Sequence, residues 1–348
     1  MAHVASFMTI TNLAELLHSS NSDYLIYDLG RIVQPISASE FTEICAQQCP
    51  YPYPLQHHAW FAVVFWAAQQ QDVDPFIWFL KMPVDERGLL SHIAQQEYMA
   101  QILALLGQQL THALTDEQTQ QLQQSPYLFT PAEAKRAALH AKLTLRWQRE
   151  PSPFYDRARA ELEHPTSDGW QYLGVQGIHD VIARLLPQDE ITKTIAANFA
   201  TYPEPLQNAV AEAFEHSIPA PSVVEQLQPL IQHGTGISRL NALRALTGGA
   251  SEPTIAASWE ARLDQASVDE LIVIAARHWP ALAASSQRLE RYLVQVAKQD
   301  NPALFAGLVR DLLQLPCTRA YTLSLLQRND LPAVLYLAWQ QFIQTHSA

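Results

Sequence analysis

The stretch HHAWFAVVFWAAQQQDVDPFIWFLKMPVDERGLL, residues 57–90, decides how the front of this chain folds. Two apolar runs, Ala59 to Ala68 and Phe76 to Met82, are crowded with aromatic and β-branched residues and flank the polar linker QQQDVDP. Such composition favours strands, and a polar linker between two of them is a hairpin signal. A buried helix over Ala59 to Ala68 fits the same letters, because periodicity alone does not separate a short buried strand from a buried helix. Either run is well short of the ~20 residues that span a bilayer, so no membrane insertion is expected.

Working outward, LAELLHSS (13–20) reads as a short helix capped by Thr11 or Asn12. DYLIYDLGRIVQPIS (23–37) reads as a first hairpin turning around Asp28-Leu29-Gly30-Arg31, where glycine accepts a positive φ. Ser37 or Ser39 then caps a helix over ASEFTEICAQQ, and YPYP (51–54) ends regular structure because its prolines fix φ and remove donors. Beyond residue 91 strand signals vanish. Apolar residues recur at helical spacing, and Pro131, Pro153, Pro187, Pro203, Pro221, Pro253, Pro280, Pro302, Pro316 and Pro332 fall at apparent first turns, where proline is tolerated. The expected fold is α+β: a small N-terminal domain with two antiparallel β-hairpins in the order α-β-β-α-β-β over 1–88, then an all-α, HEAT-like irregular α-solenoid of about ten helices over 89–348.

The combination YDLGRIVQPIS, YPYPLQHHAWFAVVFW and DPFIWFLKMPVDERGLL resembles an uncharacterised bacterial family, number 3549 among the domains of unknown function. The resemblance runs through most of the chain and is strongest in its first hundred or so residues. It implies a bacterial cytoplasmic protein and brings no activity, cofactor or catalytic residue.

Charge is uneven. Residues 1–125 hold three basic residues, Arg31, Lys81 and Arg87, against twelve acidic ones, whereas the remainder is nearly balanced within a total of −12. An acidic front half repels phosphate backbones and anionic membranes. Three cysteines, Cys45, Cys49 and Cys317, form no disulfide framework, and MAHVASFM has no basic n-region, with Met8 an alternative natural start. A cytoplasmic protein is therefore expected. Cys45 and Cys49 at helical spacing supply only half of a zinc site.

Five constellations compete for a functional role. Asp85, Glu86 and Arg87 before Gly88 form a partner-contact loop or simply turn the chain at the expected domain boundary. His179-Asp180 resembles the paired ligands of HD-type metal hydrolases, with His140 or His164 and Asp264 as the other ligands; a helix-surface His and Asp is the plainer reading. Glu212 with His216, and His57 with His58, are pairs too small to define a metal site. Lys135, Lys142, Arg146 and Arg149, spaced to share one helix face beside Trp147, form a basic stripe. The stripe suits an acidic protein partner or, less readily, RNA phosphates and a stacked base, and a solvated face paired with Glu133, Glu150 and the acidic front half is the alternative. GxSxG, P-loop, GxGxxG, HExxH and CxxC patterns are all missing. The leading expectation is a non-enzymatic interaction or adaptor protein with no cofactor, ahead of a hydrolase and an RNA-binding accessory factor.

Overall fold

The computed structural model describes residues 10–68, 74–107, 110–111 and 115–346. Met8 and most of the linker between the two apolar runs lie outside the described residues. The chain divides into two compact units, Met1–Pro131 and Ala132–Ala348.

In the first unit the order is α1 (Leu13–Ser19), β1 (Ser22–Asp28), β2 (Gln34–Ile36), α2 (Ala38–Cys45), β3 (His58–Ala67), β4 (Phe76–Pro83), α3 (His92–Leu106) and α4 (Asp116–Gln123). The four strands form one antiparallel sheet ordered β2-β1-β3-β4. Asn12 and Ser37 are the caps of α1 and α2, each accepting a backbone N–H. The ambiguous run is a strand. Phe61 to Phe65 are all buried, so both faces of β3 are covered, and Phe65 lies opposite Phe76 in register with its ring stacked at 5.6 Å. Aromatic and β-branched side chains meet across strands in this way more easily than along one helix.

The unit extends past the boundary expected at residue 88. Leu90, Ala94, Tyr98, Met99 and Ile102 share one core with Phe61, Phe65, Trp78 and Leu80, so α3 completes the sheet's hydrophobic layer. The segment after α4 also belongs here. Lys81 donates its N–H to Tyr127 O at 2.8 Å and Phe129 donates to Phe79 O at 3.1 Å, which lays residues 127–129 along the free edge of β4.

The second unit holds α5 (Glu133–Arg146), α6 (Tyr155–Glu163), α7 (Val175–Ala183), α8 (Glu190–Asn198), α9 (Glu204–Phe214), α10 (Pro221–His233), α11 (Gly236–Ala245), α12 (Pro253–Glu260), α13 (Val268–Arg277), α14 (Trp279–Ala283), α15 (Ser286–Ala297), α16 (Pro302–Gln314), α17 (Pro316–Leu326) and α18 (Ala333–His346). Contacts run α5-α7-α9-α11-α13 in one row and α6-α8-α10-α12 in a second, the two rows touching through pairs such as α6 with α7 and α10 with α11. That is a stack of helical hairpins, and one continuous core from Ala158 to Leu335 fills it. Pro221, Pro253, Pro302 and Pro316 each open a helix. The described helices of this unit outnumber the ten or so expected because α7, α11, α13 and α15 start after Gly174, Thr235, Ser267 and Ser285 rather than at prolines. Among the described residues no helix is long and apolar enough to cross a membrane.

A candidate functional site along one row of helices

The motifs that carry the family resemblance come together as a buried polar knot in the first unit. Asp28, fully buried, accepts the Tyr51 hydroxyl at 2.7 Å and the N–H groups of Gly30 and Arg31 at 3.2 and 3.1 Å. Arg31, also buried, donates through Nε and Nη2 to the Pro54 carbonyl. A side chain at Gly30 would press on Asp28 and Trp60. These contacts tie YDLGR to YPYP, and the chemistry they perform is structural: buried polar groups satisfying one another.

The Asp85 cluster is likewise held by its own turn. Its carboxylate accepts the N–H groups of Arg87 and Leu89 at 2.9 and 2.8 Å and pairs with the Arg87 guanidinium at 3.1 Å. Partial burial opposes its charge, but the Leu89 N–H and the Arg87 side chain and N–H outweigh it and keep its pKa below the usual carboxylate value. Gly88, at φ 85°, takes the left-handed corner. Glu86 sits in the same turn. This turn lies between β4 and α3 of one compact unit, so it is not the domain junction expected from the sequence.

The basic stripe does not persist as one face. Helix α5 ends at Arg146; Trp147 is its C-cap, and Gln148 at φ 53° turns the chain before Arg149. Arg149 folds over the Trp147 ring at 5.2 Å, and its carbonyl accepts Arg184 Nη2 at 3.4 Å. Arg146 is exposed, whereas Lys135 and Lys142 are half-buried. Burial lowers the Lys142 pKa.

His179 and Asp180 take different paths. Asp180, fully buried, accepts Ser152 N–H at 3.0 Å, Gln176 Nε2 at 3.1 Å and Arg184 Nη1 at 3.4 Å. It anchors α7 to the segment after α5. His140 and His164 are exposed, and Asp264 accepts Gln295 Nε2. Among the described residues no group of three or more His, Cys, Asp or Glu side chains is placed to hold a metal ion. The free Cys45 and Cys49 form no such group either, and burial raises the Cys45 thiol to about 12.

What the fold does assemble is a charged seam along the row α5-α7-α9-α11-α13. The His179 ring stacks on His216 at 5.9 Å between centroids, both nearly buried. Burial brings His179 down to about 4. His216 is held well below its ordinary value by burial first, then by His179, Lys135, Arg277 and Lys142. One turn before His216, burial pushes the half-buried Glu212 carboxyl up, with Arg244, Arg277 and Lys135 opposing and Glu215 reinforcing. Glu215, the C-cap of α9, is buried and accepts Nε of Arg244 at 2.6 Å on one oxygen and Nε of Arg277 at 2.7 Å on the other. Arg244 and Arg277 occupy the last turns of α11 and α13, where the helix dipole favours cations. His278 lies next to Arg277, and its Nε2 meets Leu243 O at 2.9 Å; a carbonyl only accepts, so the ring donates there. The sequence reading singled out Lys135, Lys142, His179, Glu212 and His216 as separate features. It missed Glu215, Arg244 and Arg277, because the arginines lie 29 and 62 residues from their shared carboxylate.

A stack of helical hairpins with several cations facing a few carboxylates along one row defines a largely helical protein with a charged seam, preceded by a small α+β unit. The chain belongs to the family described as Protein of unknown function (DUF3549), whose model matches residues 8–343. No curated protein and no solved structure matches it.

Proposed function

We propose that this protein is a non-enzymatic bacterial cytoplasmic scaffold that holds an acidic protein partner along the seam of α5, α9, α11 and α13. One observation carries the reading: Arg244 and Arg277, from two helices far apart in sequence, meet on Glu215 of a third at 2.6 and 2.7 Å, with Lys135 close enough to oppose the rise that burial gives Glu212. In a chain of net charge −12, so local a gathering of cations favours a negatively charged contact. Helical stacks present such rows as extended surfaces for macromolecules. The hydrolase reading lacks support from Asp180, whose carboxylate is engaged by Ser152, Gln176 and Arg184. The RNA reading loses its regular stripe where α5 stops at Arg146.

The test is capture of a partner by the full chain, followed by binding measurements with the purified pair. Lys135→Glu should weaken binding about tenfold or more, and added salt should weaken it further, as expected of charge steering. Binding that is unchanged in Lys135→Glu and flat in salt would remove the seam from this role.

A further inference from the structure

Arg244 and Arg277 form an unusual pair in this molecule. Each spends its Nε on the same buried carboxylate, Glu215, whose side chain is only 2% exposed, while the two guanidinium side chains remain 24% exposed. Anchoring through Nε fixes both planar groups and leaves their terminal amino groups for other acceptors. Arg277 Nη1 donates to Ala276 O; Nη1 and Nη2 of Arg244 and Nη2 of Arg277 have no hydrogen-bond partner among the described residues. The two guanidiniums are therefore held side by side on the two oxygens of one carboxylate, with three terminal amino groups left for other acceptors. One carboxylate between two guanidiniums leaves that place positive, and Lys135 and Lys142 add to it, while Glu212 subtracts. Near the end of α11, Leu243 O accepts from the His278 ring and Arg244 O accepts from Thr247 Oγ1, so these two carbonyls are engaged within the fold.

We propose that Arg244 and Arg277, clasped together on Glu215, are a recognition fork for a phosphate monoester dianion. This rests on the scaffold reading above and names the group on the partner that the seam holds. Three terminal phosphoryl oxygens match three available amino groups, whereas a carboxylate offers only two oxygens. The dianion also balances a seam of four cations, Lys135, Lys142, Arg244 and Arg277, against two carboxylates, Glu212 and Glu215.

Calorimetric titration of the full chain with phenyl phosphate and with benzoate tests it at neutral pH. Phenyl phosphate should bind at least about tenfold more tightly than benzoate, and Arg244→Lys should remove about tenfold of that affinity, since a lysine cannot both hold Glu215 and present a fork. Glu212→Gln should tighten phenyl phosphate several-fold by removing a neighbouring negative charge, a gain that no folding defect produces. Equal affinities for the two probes, an unaffected Arg244→Lys, or weaker binding in Glu212→Gln would each overturn the proposal. Inorganic phosphate binding as tightly as a phosphoserine peptide identifies a free phosphate as the ligand, and a tighter peptide identifies a phosphorylated partner segment; both outcomes uphold the fork. A captured acidic partner that is lost in Lys135→Glu, yet indifferent to phosphatase and to Arg244→Lys, would keep the scaffold and overturn the phosphate.

Discussion

Asp28 shows how much one buried side chain can organise. Its two oxygens take the Tyr51 hydroxyl and two backbone N–H groups with no access to solvent, so Asp28→Ala leaves several buried donors unpaired at once. We expect a loss of about 3 kcal/mol or more in urea unfolding, against about 1 kcal/mol for Tyr51→Phe, which removes one donor and strands less. The histidines make a second residue-scale prediction. His179 and His278 both drop from an ordinary value of 6.5 to about 4 because burial disfavours the charged ring. A base whose folded pKa is depressed gives its full stability above the unfolded value and loses it as the pH falls through the window toward the folded one. Stability should therefore decline between about pH 6.5 and pH 4, by on the order of 2 kcal/mol per histidine at pH 5. Urea midpoints at pH 7.5 and 5.0 measure this, and His179→Asn should flatten the decline. These residues were partly legible in advance. Gly30 and the two prolines of YPYP marked the turns of the knot, and Glu212 and His216 were visible as neighbours on one helix. Their surroundings were not, because burial and the arginine clasp are made by helices remote in sequence.

At the scale of elements, local signals predicted best where a cap or a proline fixes a boundary. Asn12, Ser37 and the helix-opening prolines all sit where their donors or missing N–H groups demand. Basic-stripe geometry failed because the helix was assumed to continue past Trp147; nothing in LRWQRE announces the left-handed Gln148 that stops it. Helix α13 offers a clean test of capping. Ser267 and Glu270 form a reciprocal capping box at its start, and Arg277 is its last residue. Ser267→Ala should cost about 1 kcal/mol in thermal or urea unfolding. Since the clasp sits at the opposite end of the helix, phenyl phosphate affinity should change little; a large loss would mean that the seam depends on the whole helix being seated.

Across the whole chain, the two units follow different rules. A sheet unit is closed by long-range pairing, which the sequence reveals only as composition, and this is why its end was misplaced at residue 88: the apolar positions of α3 look like those of any helix until the sheet beneath them is known. A stack of hairpins instead draws its stability from neighbour on neighbour. Leu227, fully buried in α10, lies mid-stack, whereas Leu335, equally buried in α18, lies at the end. Leu227→Ala and Leu335→Ala should each cost about 2 to 5 kcal/mol locally. Hydrogen exchange should separate them: Leu227→Ala loosens amides on both sides, in α8 and α12, and Leu335→Ala loosens α15 and α16 while leaving α9 protected.

The strip of backbone at 127–129 that lies against β4 has a practical meaning for anyone handling this unit in isolation. A fragment cut at residue 88 or at the end of α3 would bare Phe79 and Lys81 main-chain groups next to Ile77 and Trp78, an open and sticky border that invites self-assembly into extended aggregates. A fragment carried through Pro131 keeps its own selvedge. Dynamic light scattering on the two fragments should show the shorter one growing into large particles and the longer one staying small.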